Sequence, residues 1–405
     1  MTEPAIDVRE VTHREPTNGT PDVLTSADDI AAMIVTLRHG TGPIAVDAER
    51  ASGFRYSQRA YLLQFFRAGS EIALLDPTTD ASLADAAAYI SSQPWILHAA
   101  TQDLPCLREA GFNPTSVYDT ELAAKLLGRP KVGLGALLEH ELDVVLAKEH
   151  SAVDWSTRPI PAEWRAYAAL DVEFLPDLHE RLVTELTARD RLDWYEQERA
   201  TLLHFTGPEP RPDAWRRTSG IHAIRDPRKQ AIIRSLWEAR DARARELDVS
   251  SGRVLHDSVI VDIAKHAPQS QAQLAALRPV HSRNARKDPE YWWNAIADAL
   301  ALPDSELPKR QSADGSIPPP KAWPQRNPDA AARWELVRPA VVATAESLEL
   351  SPEVLVSPEI IRRLCWDGLA IGQTAAEIEH RLAETAARPW QRAALVVPIA
   401  DALQA

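Results

Sequence analysis

The chain has 405 residues, two cysteines and a formal net charge of −13. The length predicts two or three domains, each able to bury its own core. No run of about 18 apolar residues occurs, which excludes a membrane-spanning helix. Cys106 and Cys365 stand far apart, which excludes a disulfide framework or a cysteine-rich zinc site and suits a reducing cytoplasm. The opening Met1-Thr2-Glu3-Pro4 has neither a basic region nor an apolar stretch, so it does not read as a signal peptide. The charge is uneven. Residues 1–207 carry 18 basic and 32 acidic side chains, whereas residues 208–300 carry 16 and 12. Local fields decide whether a polyanion binds, so the acidic total does not exclude a nucleic-acid partner.

Residues 1–22 are polar and without periodicity, and read as a disordered tail. Ser26 caps a helix whose apolar stripe is Ile30, Met33, Ile34 and Leu37. Gly42 and Pro43 break the chain before the apolar run Ile44-Ala45-Val46, which ends in Asp47-Ala48-Glu49. With 60–66 and 71–76 this gives three consecutive strands, antiparallel by short connections. A helix is expected near 82–92, a fourth buried strand at Trp95-Ile96-Leu97-His98, and helices at about 102–110, 119–128, 134–141 and 161–188. Strands followed by strand–helix alternation predict a mixed α/β sheet with helices on both faces. The proline-rich stretch 208–212 reads as a stiff linker, residues 213–300 as all helix, 301–328 as a second linker and 329–405 as helical again. The two helical segments share length and order, which suggests an internal duplication.

Asp47 and Glu49 are two apart on a strand, so they project from the same face. Carboxylates held that close repel unless one is protonated or a cation lies between them. Hard oxygen donors suit Mg²⁺ or Mn²⁺. Taken alone, Asp-x-Glu is more often a strand running into a polar turn, so further ligands are required. Asp103 follows a buried strand and opens a helix, where, taken alone, it reads more readily as a helix cap or first-turn acid favoured by the helix dipole. Tyr167 and Asp171 are four apart on a helix and share a face. Asp119, in Tyr118-Asp119-Thr120, reads as a helix start, either N-cap or first-turn acid.

Asp47-x-Glu49, Asp103 in a His-x-x-x-x-Asp setting and Tyr167-x-x-x-Asp171 resemble the three exonuclease motifs of the DEDD superfamily, in its tyrosine-bearing branch, over roughly residues 23–207. Arg55-Tyr56 through Gln64 and Asp154-Trp155-Ser156-Thr157-Arg158-Pro159 are similar to the bacterial ribonuclease D group, and the segments after 213 resemble HRDC domains. The resemblance implies a ribonuclease H-like α/β exonuclease domain (mixed sheet flanked by helices) at 23–207, followed by two all-α HRDC-like domains at 208–300 and 329–405. It implies two-metal hydrolysis of RNA from the 3′ end, with Asp47, Glu49, Asp103 and Asp171 holding two Mg²⁺ or Mn²⁺ ions. Tyr167 would orient the attacking water, since a free phenol is too weakly acidic to act as a strong base near neutrality.

Substrate contacts are sought near the motifs, at Arg55, Gln64, His98, Trp155 and Arg158. His98 suits a supporting position better than that of a ligand. Trp155 and Arg158 either stack on and pair with a terminal nucleotide or pack their own loop down. Arg216, Arg217, Arg225, Arg228 and Lys229 form a basic cluster at the start of the first helical segment. The expected substrate is transfer RNA or another structured RNA with a free 3′ end, and the expected state a cytoplasmic monomer. The alternatives are a DNA exonuclease with the same site and a non-catalytic RNA-binding scaffold, which would be marked by loss of one of the four acids.

Overall fold

A computed structural model describes residues 13–147, 152–209, 211–277, 288–309 and 317–404. The first region is built on a mixed six-stranded sheet of order β1-β4-β3-β2-β5-β6: β1 Val23–Leu24, β2 Thr41–Arg50, β3 Ala60–Ala68, β4 Ala73–Leu75, β5 Trp95–Leu97 and β6 Val117–Asp119. As expected, β2, β3 and β4 are consecutive and antiparallel; β5 pairs with β2 in parallel. The central strand β2 is apolar because both of its faces are covered: Ile44, Ala45 and Val46 are fully buried. Gly42 and Pro43 lie within β2 rather than before it. The ladder with β3 slips between Thr41 and Ala45, and Pro43 sits in that gap, where no ladder N–H is needed.

Helices cover the sheet: α1 Ala27–His39, α2 Ala84–Ser91, α3 Leu104–Glu109, α4 Thr120–Leu126, α5 Leu134–Leu142, α6 Ala162–Glu173, α7 Leu175–Ala188 and α8 Leu192–Leu202. Ser26 and Asp29 close a reciprocal capping box on α1. The helix expected over 161–188 is two helices. It breaks at Phe174, ahead of Pro176, which cannot donate to the ladder of a continuous helix. The expected tail is also shorter. Residues 13–22 are tied down: His13 bridges to Leu146, the Thr17 amide donates to Glu173, and Arg165 donates to the Pro21 carbonyl. Residues 1–12 lie outside the described residues.

Beyond residue 211 the regular elements among the described residues are all helices. The first set is α9 Pro227–Leu247, α10 Ser251–Val254, α11 Asp257–His266, α12 Gln271–Ala276 and α13 Pro289–Ala301. After α14 Trp323–Arg326, part of the expected linker, comes α15 Pro328–Ser347, α16 Pro352–Leu355, α17 Pro358–Arg363, α18 Ala375–Ala383 and α19 Pro389–Gln404. The two sets repeat the order long, one-turn, short, short, long. Both long helices open on proline behind a side-chain cap, Asp226 in one and Asn327 in the other. The shared order read from the sequence recurs in these helices, with an additional π-helical turn, Leu364–Gly368, in the second set.

The second set packs on the sheet-bearing first region. One apolar core runs from Leu137, Leu178 and Leu182 into Trp323, Val337 and Leu395. Gly128 marks a close approach: it has φ +73, and a Cβ built there would lie 2.0 Å from the Glu349 carbonyl oxygen.

Candidate active site

The C-terminal end of β2 carries the site. Asp47, Glu49 and Asp171 bring one carboxylate oxygen each to within 4.8 Å of one another. Asp47 and Glu49 come from β2 and Asp171 from α6, which lies across that face of the sheet. Ala168 and Ala169, fully buried, let α6 approach the strands closely, so Tyr167 and Asp171 are pressed toward the acids of β2. These residues line a cleft of about 270 Å³, together with Arg50, His98, Gln102, Asp103, Leu134 and Leu175.

Asp103 joins from the start of α3 and is buried, yet its side chain caps no amide of the helix it opens. Asp103 therefore stands at the helix start without serving as a hydrogen-bonding cap. Its carboxylate instead meets the Arg50 guanidinium, Nη2 to Oδ1 at 3.6 Å. The turn before it is held by Asp119. One oxygen of Asp119 accepts from the Ala99 amide at 3.1 Å and the other from the Ala100 amide at 2.9 Å. The first also accepts from Glu121 and Leu122, capping α4. Ala99 is left-handed, φ 58, a conformation an alanine holds only when its surroundings enforce it. Asp119 is thus the expected N-cap and also a clamp on the loop that delivers Asp103. Tyr195 braces it from behind, accepting from the Asp119 amide at 2.8 Å.

The electrostatics are those of crowded anions. Burial raises the Asp47 carboxyl to about 6. Burial, then repulsion from Asp47, Asp171 and Asp103, pushes Glu49 well above the carboxylate range. Asp103 and Asp171 are raised by burial and then by Asp47, with Arg50 opposing the shift at Asp103. Tyr167 is hydrogen-bonded to Asp171, and burial plus that neighbour raise its phenol, so it stays protonated. The donor set fits divalent cations: hard oxygens, converging, and carrying more negative charge than one arginine can balance.

A stability prediction follows. Asp47 titrates higher in the folded chain than its ordinary 3.8, so folding favours the protonated form. Its contribution to stability is full below about pH 4 and is lost as pH rises through about 6. In chelator, Asp47→Asn should gain on the parent by roughly 2–3 kcal/mol between about pH 4 and pH 7, read by urea unfolding. A difference that does not change with pH would contradict this.

Several expected substrate contacts are used otherwise. Trp155 is fully buried, edge-on to Trp164, and packs its loop down rather than offering a stacking face. Arg158 is tied to Asp76 at 2.6 Å and to the carbonyls of Trp155, Thr157 and Tyr61. Gln64 is fully buried opposite Asp47 on the neighbouring strand, and its side-chain amide has no hydrogen-bond partner among the described residues. Arg55 donates to Ser156 at 2.9 Å, joining the loop after β2 to the loop before α6. Of the five only His98 lines the cleft. It is bonded to Thr120 at 2.9 Å, and burial lowers it to about 4, so it is neutral near pH 7.

The basic cluster is partly spent as well. Arg228 pairs with Asp304 and donates to carbonyls at the end of α13, Arg216 pairs with Asp213, and Lys229 donates to the Lys265 carbonyl. Arg217 and Arg225 remain exposed. Sequence reasoning missed Arg50, Gln102 and Leu134 as cleft residues. Arg50 directly follows Glu49, and that adjacency was the available signal.

The loop after β2 is clamped by the first helical set. Asp248 accepts from the Ser57 amide at 2.8 Å, Asp241 from the Tyr56 hydroxyl at 3.0 Å, and the Gly53 carbonyl from Ser250 and Arg253.

Residues 21–187 match a family model described as 3′-5′ exonuclease, 229–296 the HRDC domain, and 316–403 a 3′ to 5′ exonuclease C-terminal domain. The last is the segment read above as a second HRDC-like unit. Ribonuclease D of Jannaschia sp. (strain CCS1) is 32% identical over 310 residues, which cover 72% of this chain and 78% of that protein. A crystal structure of a protein from Bifidobacterium adolescentis superimposes with TM-score 0.89 at 36% identity, covering 97% of this chain and 99% of the other. Escherichia coli RNase D, described as an exoribonuclease involved in structured RNA processing, shares the fold with TM-score 0.67 at 23% identity, over 95% of this chain and 98% of its own. With its exonuclease and HRDC regions in this order, the chain belongs to the ribonuclease D family and is a 3′-5′ exoribonuclease.

Proposed function

We propose that Asp47, Glu49, Asp103 and Asp171 hold two Mg²⁺ or Mn²⁺ ions and that Tyr167 orients the attacking water. The observation that carries this reading is the convergence of three carboxylates from two elements within 4.8 Å, with Asp103 across the same cleft. The ions, when bound, supply positive charge to the attacking and leaving oxygens and lower the pKa of the water. Glu49 and Asp171 would hold that charge near the attacking water, Asp103 near the leaving oxygen, and Asp47 would serve both. Tyr167 keeps its proton, donates to Asp171 and fixes the water's approach. Water adds to phosphorus and the bond to the neighbouring nucleoside's O3′ breaks. That oxygen takes up a proton, and a nucleoside 5′-monophosphate leaves.

The catalytic domain would span 23–207, with helical domains at 208–300 and 329–405. The first helical set, clamped to the loop after β2, would hold the body of the RNA at a fixed distance from the site. A transfer RNA precursor with a 3′ extension is the substrate we favour, acted on by a monomer in the cytoplasm. Two free, buried cysteines accord with that compartment. Matched RNA and DNA single strands test the preference, and equal turnover on both would remove the RNA assignment. Tyr167→Phe should lower kcat by roughly 10- to 100-fold while leaving Mn²⁺ affinity within about threefold. A large loss of affinity would make Tyr167 part of the ion site instead.

A further inference from the structure

Arg50 is the one arginine or lysine among the residues lining the cleft, and its guanidinium lies 3.6 Å from Asp103 Oδ1. In a regular strand its side chain would point to the face opposite Glu49, among Val46 and Ala48. The β2–β3 register shifts between Glu49 and Arg50, and Arg50 pairs with Ala60 beyond that shift. Such an irregularity re-aims a side chain, and here the guanidinium ends at the cleft rim with its side chain 26% exposed. Asp103 has no other ion-pair partner among the described residues, and it stands outside the group of three that gathers within 4.8 Å. The cleft thus has two unlike halves. Three acids share one point with no ion pair among the described residues, touched by the Arg50 charge only at longer range, and the fourth faces its guanidinium directly.

We infer that Arg50 is a positioning residue that holds Asp103 and lets the second divalent ion load only when the RNA 3′ end arrives. A guanidinium and a metal ion bring like charge to the same carboxylate oxygen, so each weakens the other's hold. An incoming phosphodiester offers Arg50 a bidentate partner. Once it turns to the phosphate, Asp103 is released to the ion. Substrate and second ion then bind with positive cooperativity, and free enzyme holds one ion rather than two. The inference rests on the two-ion reading above and adds the order of loading.

The test is Mn²⁺ titration of the full chain followed by the free-ion EPR signal, with the parent, Arg50→Gln and Arg50→Lys. The parent should bind one Mn²⁺ per chain in the micromolar range and a second at least tenfold more weakly. A short RNA with a non-hydrolysable 3′-terminal linkage should strengthen that second ion at least tenfold. Arg50→Gln should bind two ions without RNA, the second at least tenfold tighter than in the parent, and RNA should no longer change it. Arg50→Lys should resemble the parent, and thermal melts of all three should agree within a few degrees. Two equally tight ions in RNA-free parent, or the same two affinities in parent and Arg50→Gln, would overturn the gating role while leaving the ion site intact. No Mn²⁺ bound by any of the three would overturn the two-ion reading itself and this inference with it.

Discussion

Asp47→Asn is expected to lower kcat on single-stranded RNA by about 10³-fold or more, with no loss of fold. Asp47 touches every part of the site. It lies within 4.8 Å of Glu49 and Asp171, and its charge raises Glu49, Asp103 and Asp171. Asparagine keeps the shape and removes the charge that, on the proposed function, would hold the ions. The same change relieves repulsion among buried acids, so in chelator the variant should melt at or above the parent. Loss of activity with gain of metal-free stability separates a functional acid from a structural one. Single-turnover hydrolysis and thermal melts of the same samples check it. A variant that turns over within tenfold of the parent would remove Asp47 from the mechanism.

Asp119→Ala is expected to destabilise the chain by roughly 2–4 kcal/mol and to lower kcat by about 100-fold. Its carboxylate accepts four amide hydrogen bonds, two of them from Ala99 and Ala100. Without it those buried donors are left unpaired, and nothing holds Ala99 left-handed. Asp103 sits a few residues further on and would lose its placement against Asp47. Asp119→Asn keeps one acceptor oxygen and should fall between the two. Urea unfolding and kcat, measured on both variants, test the chain of support. A stability loss with kcat unchanged would show that Asp119 braces the fold but does not position Asp103.

The acids and their strand were legible because they are local. Asp47-Ala48-Glu49 ends an apolar run, and strand alternation alone puts both carboxylates on one face. Asp171 and Tyr167 followed from helical spacing. What the sequence concealed are the partners of long side chains. Arg158 and Arg55 look like phosphate contacts in one dimension, and only the return of Asp76 and Ser156 shows them engaged. Trp155 reads equally as a platform or a plug until α6 is laid over it. Short elements were missed for a related reason. Strands of two and three residues, Val23–Leu24 and Val117–Asp119, carry no period of their own and exist because the sheet beside them is already there. The two-helix division at Phe174 was readable from Pro176, whose missing donor breaks a helix at that point.

Placing a 5′-labelled RNA with a 3′ extension in Mg²⁺, then in chelator, tests the central claim that converging acids drive metal-dependent hydrolysis from the 3′ end. The expected result is a ladder shortening one nucleotide at a time, with nucleoside 5′-monophosphate as the small product, abolished by chelator and restored by excess Mg²⁺. Internal fragments, or an unchanged ladder in chelator, would contradict it.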